Sequence, residues 1–109
     1  MKMLTKLSCF AAVLLATTSM SAHAWDAARG KEISATCAAC HGPDGTSAVP
    51  DFPNIGGQYK EYLYRALQDY KLGKREDPIM AGQVAELSKK DMQDLAAFYS
   101  AQTGLFMKR

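Results

Sequence analysis

Five consecutive residues, Cys37-Ala38-Ala39-Cys40-His41, constrain this chain more than any other feature. Two cysteines three positions apart, followed at once by histidine, form the attachment signature of a covalent c-type haem. Each sulfur adds across a haem vinyl group and makes a thioether. His41, the next residue, is then held beneath the iron and offers its imidazole as an axial ligand. Two covalent bonds remove most of the entropy cost of holding the group.

Other uses of such a motif fit less well. A structural zinc site takes four ligands. After the leader described below is removed, only Cys37, Cys40 and His41 remain from the Cys/His class. A thioredoxin-like redox pair sits near a βαβ pattern, and no strand pattern is visible here. A plain disulfide between Cys37 and Cys40 would leave so small a domain without an adequate core.

The start of the chain reads as a secretory signal peptide, residues 1–24. Lys2 and Lys6 form its positive region, Phe10 to Ala16 its apolar run, and Ala22-His23-Ala24 its cleavage signal, cut before Trp25. The apolar run is too short for a membrane anchor, which needs about 20 residues. Cys9 precedes the apolar core and is read as discarded with the leader. The expected location is the periplasm, with no membrane span in the mature chain. Taking the 24-residue leader from 109 residues leaves 85, with 11 basic and 11 acidic side chains. Nucleic-acid binding would call for a clustered basic excess, so nucleic acid is not an expected partner. A domain this small recruits a disulfide framework, a metal or a cofactor to complete its core. A haem meets that need.

Hydrophobic spacing predicts three main helices and no strands. The first runs from Asp26, its N-cap, to Ala39, with Ala27, Gly30, Ile33 and Cys37 at helical spacing. Gly30 inside a helix costs roughly 1 kcal/mol against alanine, which points to close packing by another element. Residues 42–57 are rich in Gly, Pro, Asp and Asn and read as a long functional loop. The second helix covers 58–72, with Tyr62, Leu63, Ala66, Leu67 and Tyr70 on one face and Gly73 as its stop. Lys74 to Leu87 reads as a loop. The third helix opens at Ser88 with Asp91 in a capping box and runs to Gln102, with Met92, Leu95, Ala96 and Tyr99 as its buried stripe.

His41 is the one histidine left after cleavage, so a second axial ligand must be a methionine. Met80, Met92 and Met107 are the candidates. Met92 falls on the buried stripe, where methionine is commonly core filler. Met107 lies three positions after Gly104 and close to the last residue. Met80 lies between Pro78 and Gly82 in the expected loop, free to be aimed, and is favoured. An open distal position, with Arg75 as the nearest basic group, is the other possibility.

Residues 25–109 resemble the class I cytochromes c, the short soluble monohaem bacterial kind. The attachment pentad leads into Gly42-Pro43-Asp44-Gly45. Pro53-Asn54-Ile55-Gly56-Gly57-Gln58 looks like the family's middle motif. Met80 precedes a last helix whose Leu87-Ser88-Lys89-Lys90-Asp91-Met92 and Leu95-Ala96-Ala97-Phe98-Tyr99 are similar to the family's. The spacing from Gly30 to Cys37 is shorter than in the longest-known members. The resemblance implies an all-α fold around one covalent haem c, with Cys37 and Cys40 as thioethers. It implies His41 and Met80 as axial iron ligands. It implies that the Pro53 carbonyl accepts a hydrogen bond from His41, and that Ile55 lines the haem. Gly30 and Tyr99 would meet where the first and last helices cross.

The expected function is one-electron transfer between redox proteins by transient docking, by a monomer that is not an enzyme. Lys71, Lys74, Arg75, Lys89 and Lys90 form a candidate docking rim for acidic partners. The alternatives are a cytochrome subunit of a larger oxidoreductase and a haem enzyme or sensor.

Overall fold

The computed structural model describes residues 11–16 and 25–104. Most of the expected leader and Met107 therefore lie outside the described residues. Residues 11–16 are exposed and without regular structure. The described residues form five helices and no strand: α1 Ala27–Glu32, α2 Ala35–His41, α3 Lys60–Leu72, α4 Pro78–Val84 and α5 Lys89–Ser100. None of these helices is long and apolar enough to cross a membrane.

The expected first helix is broken in two. Ile33 and Ser34 interrupt it, and its second half runs on to His41. The cause is local. Ser34 turns its hydroxyl back onto the Lys31 carbonyl at 2.8 Å, and its amide bonds the same oxygen at 3.3 Å. Serine competing for backbone partners in this way disfavours helix continuation.

The expected loop over Lys74 to Leu87 contains α4. Asp77 caps it, accepting from the Ile79 amide at 2.9 Å and the Met80 amide at 3.0 Å. Pro78 occupies the first turn, where its missing N–H costs nothing. Met80 is thus held on a helix rather than carried by an irregular loop.

α5 packs across both α1 and α3. The α1–α5 crossing is close. A Cβ on Gly30 would sit 2.0 Å from the Asp94 carbonyl oxygen and 2.8 Å from the Phe98 Cβ. The nearest neighbours of Gly30 across the crossing are therefore Asp94 and Phe98. One position on from Phe98, Tyr99 is turned by about 100° around α5.

A polar clamp flanks this crossing. The Asp94 side chain is fully buried and accepts from the Asp26 amide at 2.8 Å, Arg29 Nη1 at 2.9 Å and Lys90 Nζ at 2.9 Å. Arg29 Nη2 also reaches Asp91 at 2.7 Å. Asp91 completes the capping box with Ser88, as the spacing predicted. Burial alone would raise the Asp94 pKa, but the Asp26 amide, Arg29 and Lys90 outweigh it and lower it. The Ser88 amide and then Arg29 lower that of Asp91.

α5 buries Met92, Leu95, Ala96 and Tyr99, the expected stripe. α3 behaves differently. It has an apolar face, yet only Leu63 is buried. The rest of that face fronts a cavity.

Two outcomes test the crossing. Gly30→Ala should cost about 1–3 kcal/mol by overpacking, read as a lower urea midpoint of the haem-loaded protein. The lowered Asp94 pKa adds stability that is complete above the ordinary carboxylate value and lost as pH falls through the folded value. The stability gap between wild type and Asp94→Asn should therefore narrow below about pH 4.

Candidate functional site

α2 carries the attachment pentad. Positions 37, 40 and 41 are three and four residues apart, so their side chains share one helix face. Cys37 and Cys40 are half-buried free thiols, and His41 is buried. Burial pushes the Cys37 thiol up, which keeps it protonated. A redox-active pair has the opposite tendency, toward a stabilised thiolate. Among the described residues no group of three His, Cys, Asp or Glu side chains could hold a metal ion.

Gly42 ends α2 with φ 83°, and a Cβ there would meet the Thr46 carbonyl oxygen at 2.1 Å. The turn it permits folds the 42–57 loop back over α2. Ser47 Oγ bonds the Cys40 carbonyl at 3.1 Å, and the Asn54 side chain accepts from the Ser47 amide at 2.6 Å. The Ile55 amide bonds the Gly45 carbonyl at 2.8 Å, and the Gly57 amide reaches the Tyr99 carbonyl at 2.9 Å. These bonds set Pro53 beside His41. His41 Nδ1 lies 2.8 Å from the Pro53 carbonyl oxygen. A carbonyl only accepts, so Nδ1 carries the proton and donates it. Nε2 is left with a free lone pair.

That ring belongs to the wall of a cavity of about 350 Å³. Cys37, Cys40, Pro53, Ile55 and Met80 line the same cavity, so all six residues singled out from the sequence meet there. Met92 is buried in the core and does not line it. The apolar face of α3 supplies Tyr62, Leu63, Ala66, Leu67 and Tyr70, and α5 supplies Leu95, Ala96 and Tyr99. Burial pushes the Tyr99 phenol up to about 12. Its hydroxyl lies near Ser34 but outside hydrogen-bonding geometry.

The expected basic rim divides. Lys90 is spent on Asp94, and Lys71 donates to the Leu87 carbonyl. Arg75 lines the cavity. Sequence reasoning missed Asp77 as the cap that holds Met80, although Asp before Pro is a helix-start signal. It also missed Tyr99 as cavity lining.

Residues 27–101 match the family profile described as cytochrome c. The chain belongs to the cytochrome c family. Among curated relatives, this cytochrome is 42% identical over 88 residues to cytochrome c4 of Pseudomonas aeruginosa, covering 81% of this chain and 44% of that protein. It is 40% identical over 82 residues to cytochrome c-554(548) of Halomonas halodenitrificans, covering 72% of this chain and 99% of that protein. The crystal structure of reduced recombinant cytochrome c4 from Pseudomonas stutzeri superposes with a TM-score of 0.70 at 40% identity, over 73% of this chain and 47% of that one. The chain thus spans about half the length of the cytochrome c4 proteins it matches. The family's cofactor is a covalently bound haem c with its iron.

The residues present fit that group. Two free thiols and an imidazole lone pair share one helix face on an apolar cavity, and a thioether lines the same space. If Cys37 and Cys40 are the attachment points, Cys37→Ser or Cys40→Ser should leave a single thioether, seen as a red-shifted alkaline pyridine spectrum. The double substitution should let acidified organic solvent extract the haem. Haem in the double variant that resists this extraction would remove the assignment.

Proposed function

We propose that this cytochrome is an exported one-electron carrier and performs no bond-making chemistry on a substrate. The observation that carries the reading is the meeting of Cys37, Cys40, His41 and Met80 on one apolar cavity. Cys37 and Cys40 would hold the haem covalently, with His41 Nε2 and the Met80 sulfur as axial ligands. The bound haem supplies a reversible one-electron iron couple.

The chain's own residues tune that couple. The Pro53 carbonyl fixes the orientation of the His41 ring and raises its basicity. Methionine sulfur is a soft donor that favours the reduced iron. Ile55, Leu63, Leu67, Leu95 and Tyr99 exclude water and so disfavour the more positively charged oxidised state. Held by both His41 and Met80, the iron would offer no place for a substrate. Electrons would pass by transient docking, for which redox encounters use interfaces below about 1,200 Å².

The 1–24 leader would export the carrier to the periplasm, where it would act as a monomer. Trp25, the first residue after the expected cleavage, already packs against Tyr64 with ring centroids 5.0 Å apart. The intact mass of the native protein should begin at Trp25 and include one haem. On a native sizing column it should elute as a small free protein. Elution inside a large oxidoreductase would replace the carrier with a subunit.

Spectra test the ligands. The oxidised protein should show the weak near-infrared sulfur-to-iron band, and the reduced protein should not bind carbon monoxide readily at neutral pH. Met80→Ala should abolish that band and admit carbon monoxide. Survival of the band in that variant would move the ligand to Met92 or Met107.

A further inference from the structure

We infer that Asn54 is a positioning residue for His41, acting through the Pro53 carbonyl, a role that rests on the ligand reading above. The His41–Pro53 hydrogen bond orients the ring and sets its strength as a donor to iron. Proline has no N–H, so Pro53 cannot be pinned by an amide of its own. Its carbonyl must be aimed by its neighbours.

That carbonyl lies in the planar peptide unit that ends at the Asn54 Cα. Whatever holds Asn54 therefore limits the tilt of the plane. The Asn54 side chain is itself held, because its Oδ1 accepts from the Ser47 amide at 2.6 Å. A backbone N–H only donates, so the oxygen of the carboxamide is the atom that faces it. Ser47 in turn is tied to the helix that carries the histidine. Its Oγ lies 3.1 Å from the Cys40 carbonyl and 2.8 Å from the Val49 carbonyl, with one proton to share between them.

These contacts close a ring. Cys40 precedes His41 and Asn54 follows Pro53, so the path Cys40–Ser47–Asn54 runs alongside the His41–Pro53 bond and joins the same two segments. The other bonds near Pro53 are longer or further from its carbonyl. The Phe52 amide reaches the Val49 carbonyl at 3.3 Å, on the opposite side of Pro53. The Ile55 and Gly56 amides share the Gly45 carbonyl at 2.8 and 3.0 Å, further along the chain. Asn54 is exposed although it lines the cavity, so trimming it leaves no buried gap.

The test uses the haem-loaded protein, with Asn54→Ala compared against Asn54→Asp. Alanine removes the acceptor for Ser47, and aspartate restores an oxygen there. In Asn54→Ala the Pro53 carbonyl should drift from the ring. The His41 Nδ1 proton, followed by nuclear magnetic resonance of the reduced protein, should move upfield. Its exchange with solvent should be about tenfold faster, the order expected for one weakened hydrogen bond. A weaker bond makes the imidazole a poorer donor, so the reduction potential should rise. Asn54→Asp should return the proton to its wild-type position. Its added negative charge should lower the potential by an amount that shrinks with salt.

The sign of the potential change separates positioning from simple opening of the cavity. Water entering the cavity would stabilise the more positive oxidised iron and lower the potential of Asn54→Ala. A lowered potential, an unmoved Nδ1 proton in Asn54→Ala, or an equally displaced one in Asn54→Asp would each overturn the role of Asn54. Failure of the underlying reading carries a different mark. A wild-type spectrum in which the haem leaves the His41 ring protons unshifted would remove His41 as a ligand, and Asn54 with it.

Discussion

An apolar cavity that the chain does not fill with its own side chains organises everything around it. α3 presents Tyr62, Ala66, Leu67 and Tyr70 along one face, yet buries only Leu63. α5 presents Leu95, Ala96 and Tyr99 from the other side. A chain this short cannot close a core of conventional size, so its hydrophobic surface is arranged to be completed by a covalent guest. On the proposed reading the pentad on α2 is the attachment point, and the 42–57 loop holds the Pro53 carbonyl against its histidine.

The polar parts of the fold keep those walls in place. α1 crosses α5 at Gly30, where backbone meets backbone with no room for a methyl group. Asp94 then gathers the Asp26 amide, Arg29 and Lys90 around one buried carboxylate. A buried charge is tolerated when every partner is present and is punished when one is missing. The clamp thus favours one alignment of α1 on α5. That alignment fixes Tyr99 against the loop, through its carbonyl on the Gly57 amide.

Much of this was readable from residue order, because the strongest signals were local. The pentad, the Ser88–Asp91 capping box, the stripe of α5 and the face of α3 all depend on neighbours within four positions. The errors came from weaker local signals or from distant partners. Ser34 broke the first helix by turning onto Lys31, a choice that periodicity does not encode. Asp77-Pro78 started α4 inside a segment whose Gly and Pro suggested only a loop. Asp94 received no reading from the sequence, because its burial depends on the approach of Asp26 and Arg29, more than sixty positions away. Phe98 and Tyr99 are adjacent, and choosing which of them lies nearer Gly30 requires the rotation of one helix on another.

Asp77 links two things that are usually set separately. One of its carboxylate oxygens starts α4 and also binds the Met80 amide. The start of that helix and the placement of its methionine are therefore a single variable. Residues gained or lost between Gly73 and Asp77 would carry cap and sulfur along together, preserving their mutual register. The same change between Asp77 and Met80 would destroy it.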